Sequence, residues 1–242
     1  MSPGRFAAAK RWAAIAFGVA FPTALTLVYF VALAGEPRGL VQGVYAAGKS
    51  IQFAVPAIWA ASVLGRLPRP SWPSARGAVA GLAFGLAVLA GALALFYAVL
   101  EPSGLLAGGP AAAIRGKVHA FGVTTLARYV TLAAFYSVVH AAAEEYYWRW
   151  FVFGELRRAC GAVQAVAWSS VAFAAHHVVI LGVYFGWGSP WTAVLALAVG
   201  VGGAYWAALY HRSGSLLGPW LGHLLVDAAI FFMGYELAFG AP

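Results

Sequence analysis

The stretch HAAAEEYYWRWFVFGELRR, residues 140–158, contains two adjacent carboxylates, Glu144 and Glu145, within a long apolar run. Only 7 of the 242 residues are acidic, which makes such a pair unusual for this chain. In a helix, Glu145 and Arg149 occupy positions i and i+4 with the carboxylate first, the favoured orientation of a helical ion pair. Glu144 is turned about 100° away from that pair by the helical period. We therefore expect Glu144 to have no counter-ion of its own and to be a candidate general base.

The composition indicates a membrane protein. Of all residues 63% are apolar and 9% are charged, and the mean hydropathy is +0.82, whereas soluble domains carry roughly 25% charged residues. A bilayer span needs roughly 20 apolar residues, so the length allows about seven spans with short loops. We predict an all-α fold, a polytopic membrane helix bundle of about seven transmembrane helices, or eight if residues 101–120 contain another.

The apolar runs predict one integral membrane domain over residues 1–242, with accessory spans in residues 1–120 and a catalytic core in residues 121–242. A connection rich in proline and arginine, residues 65–76, separates the second and third spans. The fourth span is longer than a bilayer requires, and Gly154 is the expected break in it. The predicted spans are residues 12–33, 44–64, 77–100, 121–153, 163–183, 192–210 and 216–237.

The charge balance gives the expected orientation. Fifteen basic residues against seven acidic ones give a net charge of +8, which in a soluble protein would suggest a nucleic-acid partner. In a membrane protein the positive-inside rule accounts for most of this excess, so we predict no nucleic-acid partner. We expect a bacterial cytoplasmic membrane protein with a cytoplasmic N-terminus. Seven spans then bring six arginines to the cytoplasmic side: Arg66, Arg69, Arg76, Arg157, Arg158 and Arg212.

Two further spans carry ionisable residues, which inside a membrane usually mark a functional site. His176 and His177 end the segment FAAHH, and His223 and Asp227 begin and end HLLVD, where they share a helix face. At 1.5 Å per residue from the nearest cytoplasmic arginine, Glu144, His177 and His223 lie roughly 20, 22 and 16 Å into the membrane. We therefore expect these three side chains to meet near the middle of the bilayer.

This set of side chains suits hydrolysis of a peptide bond. A carboxylate and a neutral imidazole can take a proton from water, and a second imidazole can donate to the developing oxyanion. A serine nucleophile lacks the GxSxG motif. Zinc is an alternative, because Glu144, His177 and His223 are suitable ligand types, but the HExxH signature is absent. We predict no cofactor and no metal, with a zinc-dependent intramembrane protease as the alternative mechanism.

Three motifs carry a family resemblance. EEYYWR, from Glu144 to Arg149, matches EExxxR; FAAHH matches FxxxH with His177 as its histidine; and HLLVD matches HxxxN with Asp227 in the last place. In this order, on separate predicted spans, they resemble the CPBP family of intramembrane glutamic endopeptidases, also called the CAAX prenyl endopeptidase or ABI family. The resemblance covers residues 140–230.

The resemblance implies an intramembrane glutamic-type endopeptidase in the lipid bilayer, which cuts near the C-terminus of a membrane-associated or lipidated protein substrate. It implies that a glutamate and a histidine activate the water and that a second histidine with its partner forms the oxyanion site. The residues concerned are Glu144, His177, His223 and Asp227 as catalytic residues, with Glu145 and Arg149 as the supporting pair.

Several alternatives stay open. Asp227 stands where the family has asparagine, and an ionised carboxylate cannot donate a hydrogen bond, so Asp227 is either protonated or only holds His223 in place. The Glu145 and Arg149 pair is either a structural clamp or takes part in the chemistry. Other classes are a proton-coupled transporter and a non-catalytic membrane scaffold. The ionisable residues of the predicted spans cluster in the C-terminal half, which favours the enzyme over a transporter with two matching halves.

Overall fold

The computed structural model describes residues 3–63 and 74–240, and within these ranges it contains helices and connections but no strand. The predicted all-α fold is therefore confirmed. The helices are α1 (Pro3–Leu27, with a π-helical continuation over Val28–Ala32), α2 (Arg38–Ser62), α3 (Ala75–Leu95, with a π-helical continuation over Phe96–Leu100), α4 (Gly109–Ala120), α5 (Leu126–Cys160), α6 (Ala162–Phe185), α7 (Pro190–Ser213) and α8 (Leu217–Phe239).

The described residues include six helices that are long and apolar enough to cross a membrane, namely α1, α3, α5, α6, α7 and α8. Each of the seven predicted spans falls on a helix, and the second falls on α2, which has 25 residues but is not among the six. The region where an eighth span was considered contains α4, whose 12 residues are fewer than the roughly 20 that a span needs. The predicted polytopic bundle agrees with this architecture.

The fourth predicted span differs from the structure at its end. Gly154 does not break the helix, because its backbone is α-helical, with φ −58° and ψ −44°, and α5 continues to Cys160. The break lies at Gly161, whose φ of +87° is a conformation that glycine adopts readily and other residues rarely do. The expected break at Gly154 is therefore wrong by seven residues.

The described residues form two compact units, and each contains segments from both halves of the chain. Residues 3–63 and 144–216 form the first unit, and residues 74–143 and 217–240 form the second. The single domain over residues 1–242, with its accessory and catalytic parts, stays a prediction. The predicted connection 65–76 lies outside the described residues except for its last three.

At one end of the first unit, charged side chains and a histidine from three helices lie close together. Glu155 near the end of α5 is buried, and its Oε2 lies 3.2 Å from Nε of Arg11 on α1. Its other carboxylate oxygen accepts a hydrogen bond from Arg158. Arg157 contacts His211 near the end of α7 at 3.2 Å. The beginning of α1 and the ends of α5 and α7 therefore share one end of this unit, as the predicted topology requires.

In the second unit, α3 and α8 pack with their backbones almost in contact. A Cβ atom added to Gly85 would lie 2.9 Å from both Cα and the carbonyl oxygen of Gly222, and Gly81 faces Gly218 still more closely. Small residues permit such close helix packing in lipid. Gly222 immediately precedes His223, so this contact fixes the part of α8 that carries the histidine.

Candidate active site

The two glutamates lie on a short α-helical segment of α5, Ala141–Glu145, between two π-helical stretches, Phe135–His140 and Tyr146–Phe153. Such local changes in winding occur frequently at functional sites. Glu144 is 5% exposed, and Glu145 is completely buried. The winding of α5 therefore changes on both sides of two buried carboxylates.

The predicted Glu145 and Arg149 ion pair is present. Nε of Arg149 lies 3.1 Å from Oε2 of Glu145, although the N–H does not point at the oxygen as a hydrogen bond requires. The guanidinium carbon lies 4.7 Å from the ring centre of Phe173 on α6 and 5.3 Å from that of Trp206 on α7. Arg149 thus connects three helices through its charge and its flat face.

Glu144 also has a cation beside it, so the expectation that it lacks a counter-ion is wrong. Nζ of Lys49 lies 3.5 Å from Oε1 of Glu144. The predicted second span begins at residue 44, which puts Lys49 near its edge, but α2 begins at Arg38, so Lys49 lies in the middle of the helix. A lysine inside the predicted second span was the sequence signal that could have identified Lys49 as the partner of a buried carboxylate.

The two adjacent histidines of α6 have different surroundings. Nδ1 of His177 lies 2.9 Å from the carbonyl oxygen of Phe173. Because a carbonyl can only accept, Nδ1 carries the hydrogen, and in the neutral ring the lone pair is then on Nε2. His176 is buried with its ring stacked on that of Trp148, at 5.6 Å between centres and 3° between planes. His176 is therefore packed, whereas His177 has the tautomer that a base needs.

His223 and Asp227 lie on α8 in the second unit. Nε2 of His223 is 3.6 Å from Oδ1 of Asp227, with His223 buried and Asp227 18% exposed. This distance is longer than a hydrogen bond, so the contact is electrostatic and requires a protonated ring to be an ion pair. The predicted pairing across one helical turn is present.

The predicted site residues are divided between the two units. The first contains Glu144, Glu145, Arg149 and His177, and the second contains His223 and Asp227. The convergence of Glu144, His177 and His223 on one pocket stays a prediction. In the part of the chain that the structure describes, no three His, Cys, Asp or Glu side chains form a group that could hold a metal ion. Cofactor-free chemistry stays a prediction, with a zinc-dependent mechanism as its alternative.

Comparison with known families bears on the general activity. Residues 126–229 match a family model described as type II CAAX prenyl endopeptidase, Rce1-like. The matched range extends from the start of α5 into α8 and contains all three motifs, which confirms the resemblance. No curated protein and no solved structure matches the chain. The match and the six apolar helices support an integral membrane endopeptidase acting on a membrane-associated protein.

Proposed function

Since residues 126–229 resemble the Rce1-like type II CAAX prenyl endopeptidases, we propose that this protein hydrolyses a peptide bond near the C-terminus of a membrane-associated protein, with Glu144 as general base. The observation that carries the proposal is the buried Glu144 carboxylate, 3.5 Å from the Lys49 ammonium group. A neighbouring positive charge stabilises negative charge on a carboxylate, and the ionised carboxylate is the form that accepts a proton from water.

His177 is the proposed partner of Glu144 in activating the water. The hydrogen bond from its Nδ1 to the carbonyl oxygen of Phe173 orients the ring and sets its tautomer. In that tautomer Nε2 has the lone pair and can accept a hydrogen bond or a proton from water. This arrangement supports His177, rather than the stacked His176, as the histidine of the site.

His223 is the proposed donor to the oxyanion, and Asp227 holds it in place. A carboxylate 3.6 Å from Nε2 stabilises a protonated imidazole, which has a hydrogen on each nitrogen. A ring of this kind can interact with Asp227 and still donate to the substrate oxygen. The position of the Asp227 carboxylate beside Nε2 of His223 thus favours the holding role of Asp227 over direct donation.

The proposed reaction needs no covalent intermediate. Water loses a proton to the Glu144 and His177 pair while its oxygen bonds to the substrate carbonyl carbon, and the carbonyl oxygen becomes an oxyanion that accepts from His223. The C–N bond then breaks, and the proton passes to the leaving amine. The products are a new carboxyl end and a short C-terminal peptide. The proposed substrate is lipidated, by analogy with the prenyl group in the family description.

A peptidase assay on the purified full chain tests this proposal. Peptides from protein C-termini, with and without a prenyl group, are incubated with wild type, Glu144→Gln and His177→Ala. We expect Glu144→Gln to lose activity by about 10²-fold or more, because a general base contributes 10²- to 10⁴-fold. Glu36→Gln changes an exposed carboxylate outside the helices and is the matched control.

Two outcomes would overturn the proposal. Equal cleavage by wild type and both variants would exclude Glu144 and His177 from the reaction. Cleavage that a chelator abolishes and Glu144→Gln leaves intact would favour the zinc mechanism instead.

A further inference from the structure

Lys49 places a positive charge in the middle of α2. Lys49 follows Arg38, the first residue of the helix, by eleven positions, or roughly 16 Å along the axis. Its neighbour Gly48 packs directly against Leu25 of α1, so no larger side chain fits there without displacing that leucine. A largely buried ammonium group in the middle of a helix is costly unless it interacts with an opposite charge.

Aromatic rings on the turns before and after Lys49 flank its ammonium group. Nζ lies 5.8 Å from the ring centre of Tyr45 and 5.3 Å from that of Phe53. The Tyr45 ring packs on Tyr29 of α1, with 4.4 Å between centres, and the Phe53 ring meets Tyr147 of α5 edge to face at 6.4 Å. The two rings beside Nζ of Lys49 are therefore held by contacts with α1 and α5.

The two adjacent carboxylates of α5 each have a cation within 4 Å. Arg149 lies 3.1 Å from Glu145, and Lys49 lies 3.5 Å from Glu144. Arg149 comes from the same helix, whereas Lys49 comes from a helix in the N-terminal part of the chain, outside the range that the family model matches. A residue of the first 63 thus contacts the proposed general base directly.

From these contacts we infer that Lys49 is a positioning residue that holds the Glu144 carboxylate in its reactive orientation. The inference rests on the proposed function. The Glu144 carboxylate, 3.5 Å away, is a charged partner of the Lys49 ammonium group. Lys49 therefore acts through Glu144.

The test compares Lys49→Met, which removes the charge at similar length, with Lys49→Arg, which keeps it. We expect Lys49→Met to lower kcat about tenfold to hundredfold with little change in KM, because a misplaced reacting group costs rate rather than binding. Lys49→Arg should recover most of the rate. Arg38→Met, which removes an exposed cation from the start of the same helix, is the matched control and should resemble wild type.

A thermal unfolding cycle gives a readout that does not depend on activity. It compares wild type, Lys49→Met, Glu144→Gln and the double variant. If the two charges interact, Lys49→Met lowers the unfolding temperature more when Glu144 is present than when it is glutamine. Equal shifts in both backgrounds would show that the side chains are not coupled. A Lys49→Met variant that fails to fold while the double variant folds would itself demonstrate the coupling.

The outcomes separate this inference from the proposed function. If Glu144→Gln is inactive but Lys49→Met has the wild-type kcat, the positioning role is wrong and the peptidase assignment stands. If Lys49→Met raises KM alone, Lys49 binds substrate and the positioning role is again wrong. If wild type and Glu144→Gln cleave equally, the proposed function itself fails.

Discussion

Nε of Arg149 lies 3.1 Å from Oε2 of Glu145 one turn earlier on α5, and the two side chains are 2% and 0% exposed. The guanidinium group is also covered by the rings of Phe173 and Trp206. A pair enclosed in this way has little room to touch a substrate. The geometry therefore favours the structural clamp over a direct chemical role.

Replacing Arg149 should destabilise the fold. Arg149→Met leaves Glu145 as a buried charge without its guanidinium, and breaking a buried pair on one side costs about 3–5 kcal/mol in soluble proteins. We expect a clear fall in the thermal unfolding temperature in detergent. The double variant Glu145→Gln with Arg149→Met removes both charges and should recover part of that loss.

Arg149→Lys is the control for the shape of the guanidinium group. It keeps the charge but loses the flat face that packs on Phe173 and Trp206, so its stability should be intermediate. A Met variant as stable as wild type would show that the pair does not clamp the helices.

The same substitution at the two adjacent histidines should give opposite results. His176→Phe keeps an aromatic ring against Trp148 and should retain activity within a few-fold of wild type. His177→Phe removes the nitrogen that accepts from water and should lower kcat by about 10²-fold or more. Steady-state kinetics on the same peptide measure both. Loss of activity in His176→Phe alone would reverse the assignment.

Contacts between residues of the same helix could be predicted directly from the sequence. Both pairs at four-residue spacing, Glu145 with Arg149 and His223 with Asp227, are present, because the helical period alone brings such residues together. The seven apolar runs likewise all fall on helices, since a run of that length has few other ways to satisfy its backbone in lipid.

The contacts between helices were not predictable in the same way. Lys49 and Glu144 are far apart in sequence, and hydropathy does not say which helices pack together. The end of α5 was predicted at Gly154 but lies at Gly161, because glycine occurs both inside helices and after them. The basic residues Arg157 and Arg158 just before Gly161 are the signal that identifies a helix end.

Two substitutions of Asp227 test how its side chain supports His223. Asp227→Asn keeps the shape but loses the negative charge that stabilises a protonated imidazole, so we expect it to lower kcat about tenfold. Asp227→Ala removes the contact and should lower kcat about tenfold or more, since the partner that orients a functional histidine commonly contributes that much. Measured kcat values for the two variants decide the matter.

One result would contradict this prediction for Asp227. If Asp227→Asn has the wild-type kcat while Asp227→Ala does not, the negative charge beside His223 is not required, and shape alone explains the role. Circular dichroism on both variants controls for loss of the fold.

The close packing of α3 on α8 predicts a strong effect from a single methyl group. Gly85→Ala would place its Cβ 2.9 Å from the Gly222 backbone, so α8 must shift, and we expect a loss of about 1–3 kcal/mol in the free energy of unfolding together with lower peptidase activity, because His223 follows Gly222. Gly91→Ala on the same helix is the control, since its Cβ would meet nothing within 4 Å and alanine is the better helix former. Thermal unfolding of both variants checks this, and equal stabilities would show that α3 and α8 tolerate the added methyl group.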